Sequence, residues 1–121
     1  MLKLAIIAFG LVVLLGCGLA IQVMRAPGKA PSRLLASLHG VVALGSYGVL
    51  LAALMGPPHG VATGTQSFGL VAALLLLLAM VLGILALALH LIRKRMPGTA
   101  IGVHASVAIV GYVILAVYWL V

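Results

Sequence analysis

Two histidines open matching stretches of this chain. His39 begins His-Gly-Val-Val-Ala-Leu-Gly-Ser-Tyr-Gly-Val-Leu, and His104 begins His-Ala-Ser-Val-Ala-Ile-Val-Gly-Tyr-Val-Ile-Leu. His39, Val42, Ala43, Tyr47 and Leu50 recur as His104, Val107, Ala108, Tyr112 and Leu115. Neutral imidazole is a common ligand for transition metals. Inside an apolar span a polar side chain is costly and tends to be functional. The recurrence therefore marks the pair as a candidate site. The plainer alternative is an interfacial histidine bonded to a backbone carbonyl or to water. That alternative suits His90, close to Arg93, and His59, in a loop, better than it suits the matched pair.

The surroundings of these residues are apolar. Of 121 residues 66% are hydrophobic and 6% charged, with no Asp or Glu; soluble domains are about half apolar and about a quarter charged. A membrane span needs about 20 apolar residues, and four fit, at roughly 2–24, 34–55, 68–92 and 100–120. The expected fold is all-α: an integral membrane four-helix bundle, one transmembrane domain over 1–121, made of two tandem helical hairpins in parallel repeat. The net charge of +7 does not point to nucleic acid, because the basic residues cluster between spans. Arg25, Lys29 and Arg33 lie in the first loop, Arg93, Lys94 and Arg95 in the third, and Lys3 alone on the other side. By the positive-inside rule both basic loops are cytoplasmic and both termini periplasmic or exterior. The bilayer and its anionic head groups are the partners this predicts, and the brevity of the chain suits a bacterial inner membrane. Tyr118 and Trp119 read as an outer aromatic belt.

Local signals set the helix ends. Two prolines break the chain in the loop 25–33, and Ser32 is suited to cap the second helix. Gly56-Pro57-Pro58 ends that helix, and Ser67 is suited to cap the third. Gly10, Gly16 and Gly18 let a neighbour approach the first helix closely. Leu-Leu-Gly-Cys at 14–17 resembles a lipoprotein signal, but the apolar run continues to Met24 and reads as a retained span. Cys17, the sole cysteine, excludes an internal disulfide and a four-thiolate metal site. Arg-x-Pro-Gly occurs in both basic loops, at 25–28 and 95–98. An even number of spans separates the two copies, so an axis along the membrane normal relates them. Such an axis brings the second and fourth helices together with their histidines. The first and third helices match poorly beyond being apolar.

The function this favours is electron transfer by one bis-histidine haem b. His39 and His104 would be its axial ligands. Ala43 and Ala108 at i+4, with Ser46 and Gly111 at i+7, would give a flat macrocycle a small-residue wall. Tyr47 and Tyr112 would border its deeper edge. Arg25, Arg33, Arg93 and Arg95 would lie where propionates emerge, and guanidinium pairs well with carboxylate. One haem near one face would need a quinone or other membrane subunits to pass electrons on. One rival is a carrier of Zn or Cu held by His39, His90 and His104, which counting from the helix ends places at similar depth. The other is a cofactor-free accessory subunit of a larger membrane complex. The absence of carboxylates excludes a carboxylate proton relay. No phosphate-binding glycine loop or nucleophile constellation suggests a stand-alone enzyme.

A basic loop, a proline and then His-x-x-x-Ala early in an apolar helix resembles membrane b-type cytochromes. The same pattern resembles one half of the duplicated haem A synthase bundle, and a group of small bacterial four-span proteins. The likeness covers mainly 25–50 and 93–115. It implies a four-helix haem-binding core with bis-histidine ligation. Di-haem families place two ligands on each of two helices, whereas each helix here carries one. The resemblance thus implies a single haem, with His90 as an extra ligand at most.

Overall fold

The computed structural model describes residues 1–26, 29–93 and 98–121, the side chain of Arg93 excepted. Four helices follow one another: α1 (Leu2–Arg25), α2 (Arg33–Leu54), α3 (Ser67–Arg93) and α4 (Gly98–Leu120). Their ends lie within two residues of the expected spans. Each is long and apolar enough to cross a membrane, since about 20 helical residues match a hydrocarbon core of about 30 Å.

The α1–α2 connection is closed by side chains. Ser32 caps α2, its Oγ accepting from Leu35 N–H at 3.3 Å. The Ser32 N–H in turn donates to Gln22 Oε1 at 2.8 Å, which gives the single polar side chain near the end of α1 a partner. At the opposite end of the bundle the loop after α2 folds onto itself. Thr65 N–H donates to the Gly60 carbonyl at 2.9 Å, and Gly60 and Gly64 take φ of +74° and +71°, where a side chain would be strained. Ser67 is already the first helical residue of α3 rather than its cap. The Thr65 carbonyl accepts from Phe68 N–H one residue further on.

The core shows how the helices run. Ala5 and Phe9 at the start of α1 pack with Ala72, Ala73 and Leu76 at the start of α3, and with Leu50, Leu115 and Tyr118 near the ends of α2 and α4. Neighbouring helices are therefore antiparallel, and the helix ends that flank both basic loops lie at the other end. α1 packs most closely on α2, and α3 on α4; α1 also meets α4, and α2 meets α3. The bundle is thus a closed square in which α2 and α4 are diagonal.

Tyr118 departs from the belt reading. It is buried, 5% exposed, because it lies over Gly69 and meets the His59 ring edge-on with centroids 5.3 Å apart. Trp119, at 39% exposed, faces outward as expected. A Cβ at Gly69 would lie 2.6 Å from Leu54 Cδ2 and 2.8 Å from Tyr118 Cε1, so this seam requires glycine. Gly69→Ala is expected to destabilise the bundle by about 1–3 kcal/mol, as overpacking does. Gly48→Ala, whose Cβ would meet nothing within 4 Å, is expected to be neutral. Unfolding of both variants in the same detergent, followed by circular dichroism, checks the contrast.

Candidate functional site

His39 and His104 each lie six residues beyond the first residue of their helix, Arg33 and Gly98. From diagonal helices their rings reach the middle of the bundle. The ring centroids are 6.2 Å apart and the planes stand at 77°.

Each ring is held by the other helix of its own hairpin. His39 Nδ1 lies 3.1 Å from the Val12 carbonyl of α1. His104 Nδ1 lies 2.7 Å from the Ala79 carbonyl of α3. A carbonyl oxygen only accepts, so each Nδ1 carries the proton and donates it. In a neutral ring this leaves the lone pair on Nε2.

One residue type makes these contacts possible. The Val12 carbonyl bonds along α1 to the N–H four residues on, at Gly16; the Ala79 carbonyl does the same with Gly83. Without a Cβ at that position the oxygen stays open to a second donor. The rings rest directly on these glycines: a Cβ at Gly16 would lie 3.1 Å from His39 Cε1, and one at Gly83 3.1 Å from His104 Cε1. A larger residue at either would displace the ring.

The first and third helices therefore repeat after all. Ala5, Phe9, Val12 and Gly16 correspond to Ala72, Leu76, Ala79 and Gly83, the first two of each set lying in the core. Sequence comparison at a fixed spacing misses this, because Gly16 precedes His39 by 23 residues and Gly83 precedes His104 by 21. Allowing the first loop two extra residues would have exposed the match.

The bundle is closed on one side of the histidine layer. Away from the basic loops lie the buried Ala43, Ser46 and Leu50 of α2, and the buried Gly111, Leu115 and Tyr118 of α4. Toward the basic loops, Ala86 is the sole buried residue among those described. The expected wall belongs to the closed side. Ser46 bonds its own helix, Oγ to the Val42 carbonyl at 2.7 Å. Gly111 lies against α3, where a Cβ would meet Leu75 Cβ at 3.1 Å, so it serves helix packing. Ala43 is buried and Ala108 half-buried, one turn from the rings. Tyr47 is half-buried, and the Tyr112 hydroxyl reaches Gly10 of α1. Arg25 and Arg33 are exposed at the open end. Arg95 and the side chain of Arg93 lie outside the described residues.

The three-histidine arrangement does not form. Among the described residues no group of three His, Cys, Asp or Glu side chains is placed to hold a metal ion. His104 sits at the level of Gly83, and His90 is seven residues further along α3, about 10 Å. Its Nδ1 is buried without a partner among the described residues. Counting inward from helix ends hid this difference in depth. His59, beside Tyr118, is at the opposite end.

With both Nδ1 atoms committed to carbonyls, each neutral ring has its lone pair on Nε2. The ring centroids are 6.2 Å apart, and the His104 ring lies along α3, with Cε1, Nδ1 and Nε2 all within 4 Å of where a Gly83 Cβ would stand. For haem, the imidazole donor chemistry fits, whereas Ser46 and Gly111, expected to line its wall, are committed to their own helix and to packing. No family model matches this chain, and no curated protein or solved structure matches it either.

The ring tautomers are directly measurable. Nitrogen NMR of protein labelled at histidine is expected to show protonated Nδ1 and bare Nε2 at residues 39 and 104. Gly16→Val is expected to abolish that signature at His39 and leave His104 unchanged. An Nε2–H tautomer in the unsubstituted protein would contradict the carbonyl contacts.

Proposed function

We propose that the chain is a small membrane b-type cytochrome holding one haem b between His39 and His104, with a role in electron transfer. The observation that carries the reading is the matched ring pair. Both Nδ1 protons are committed to helix carbonyls, both Nε2 lone pairs are left for a ligand, and the centroids are 6.2 Å apart. When bound, haem supplies one-electron chemistry. Two imidazole ligands leave no open coordination position, which favours electron transfer over oxygen chemistry.

The residues of the chain divide the remaining tasks. The Val12 and Ala79 carbonyls fix ring orientation and raise the basicity of Nε2, as outer-shell partners of ligating histidines do. Gly16 and Gly83 seat the rings. The packed core from Ala43 to Tyr118 keeps water from the far side of the site. Arg25 and Arg33, at the open end, are the described residues suited to pair with propionates.

In this reading the basic loops are cytoplasmic and both termini exterior, in a bacterial inner membrane. Anionic lipid surrounds the basic end, and a quinone or a neighbouring membrane subunit exchanges the electron.

A second reading, a cofactor-free accessory subunit, draws on α2. Gly40, Gly45 and Gly48 face outward with nothing within 4 Å of a would-be Cβ, and small residues let another helix approach closely. Spectroscopy separates the two. The protein purified from haem-replete cells is expected to show a sharp b-type α band on dithionite reduction. His39→Ala and His104→Ala are each expected to lower haem content at least about tenfold while the helical content is retained, since each removes one of the two imidazoles that would hold the haem. A colourless unsubstituted protein would sink the cytochrome reading and leave the accessory subunit.

A further inference from the structure

We propose that the seam between α1 and α4 binds the ring of an isoprenoid quinone, with the Tyr112 hydroxyl as hydrogen-bond donor to a ring carbonyl. The seam carries an open groove of about 620 Å³ lined by Ile7, Gly10, Leu11, Val13, Leu14 and Tyr112. Ile7, Leu11 and Leu14 are exposed along its rim, so it opens sideways toward lipid.

The single polar group in that lining is the phenol. Its oxygen has no hydrogen-bond partner among the described residues, and it is not among the buried unpartnered atoms, so it is not sealed from a ligand. An unpaired hydroxyl in hydrocarbon is costly, and a ligand oxygen would remove that cost. Gly10 lets the hydroxyl lie against α1 at the edge of the groove, since a Cβ there would stand 3.0 Å from Tyr112 Oη.

The repeat breaks at this point. In the register that matches Val12 with Ala79 and Gly16 with Gly83, Gly10 corresponds to Leu77. The α2/α3 seam, where Tyr47 is the twin of Tyr112, thus lacks the glycine. A feature that departs from an otherwise shared pattern calls for a reason of its own, and a single ligand site is one.

Depth selects the occupant. Tyr112 lies eight residues before Leu120, the end of α4, or about 12 Å inside it. The hydrocarbon core is about 30 Å thick, so the hydroxyl sits near its middle. Phospholipid ester carbonyls remain at the interface and do not reach this level. A quinone ring is membrane-soluble and brings carbonyl oxygens to such depth. His104 is eight residues away on the same helix, about 12 Å along the axis. The choice of a quinone among membrane-soluble carbonyl compounds rests on the electron-transfer reading above.

The test uses the full chain in phosphatidylethanolamine–phosphatidylglycerol nanodiscs, with and without haem supplied during expression. Trp119 is the single tryptophan, seven residues from Tyr112 on α4, about 10 Å. Decylubiquinone is titrated and Trp119 quenching recorded. Saturable quenching is expected, with the apparent Kd raised at least fivefold in Tyr112→Phe and saturation lost in Gly10→Leu. Gly48→Leu, on the outward face of α2, is expected to behave as the unsubstituted protein. Tyr112→Phe removes one oxygen only, so the result stands even where Gly10→Leu fails to fold. Quenching that rises linearly with quinone, or is equal in Tyr112→Phe, would mean that lipid chains fill the groove, and would overturn the proposal. Saturable binding by a protein that takes up no haem would keep the groove and remove the cytochrome. A b-type spectrum without saturable quenching would do the reverse.

Discussion

The structure depends on one hydrogen bond made twice: an imidazole Nδ1–H given to a helix carbonyl that a glycine leaves uncovered. Inside a bilayer a donor without a partner is expensive, and water is absent to supply one. The bond therefore does more than orient a ring. It fixes the tautomer, ties α2 to α1 and α4 to α3, and sets the depth at which both rings stand. The 6.2 Å separation across the diagonal is the result of two local anchors, not of direct packing between α2 and α4.

The second organising feature is the difference between the two ends. Small and large apolar residues interlock from the histidine layer to the loop end, where Gly69 admits Leu54 and Tyr118 to close contact. Van der Waals contact of this kind is what holds helices together in lipid, where the hydrophobic effect adds little. On the basic side, among the described residues, Ala86 alone is buried, and α1 meets α2 through Gly18 against Leu35 and through the Gln22–Ser32 hydrogen bond. The larger apolar cluster, around Leu50, Leu115 and Phe9, lies at the other end.

Much of the fold was legible in the sequence, because bilayer thickness and the cost of charge leave few choices for so apolar a chain. Helix ends followed from Pro27, Pro31 and Gly56-Pro57-Pro58, and the Ser32 cap formed as its side-chain chemistry suggests. The histidine pair was visible because it recurs with Val, Ala, Tyr and Leu at equal spacing. Other features were hidden for identifiable reasons. Gly16 and Gly83 act through backbone oxygens four residues earlier, which no side-chain pattern displays, and a two-residue difference in loop length disguised their kinship. Gly111 read as free space because smallness alone does not tell whether a neighbour already fills it. His90 looked level with the pair because helix ends are poor markers of depth. Tyr118 looked interfacial by type, whereas Gly69 draws it inward.

The anchors have one further consequence. Each hairpin holds its histidine with its own carbonyl and its own glycine, so half of the site is complete within a single pair of spans. A lone hairpin paired with its twin about a two-fold axis would place the same two rings opposite each other. The present chain joins the two halves covalently, and fusion frees each half to diverge. Corresponding positions then need not carry the same residue, and Gly10 on α1 answers to Leu77 on α3.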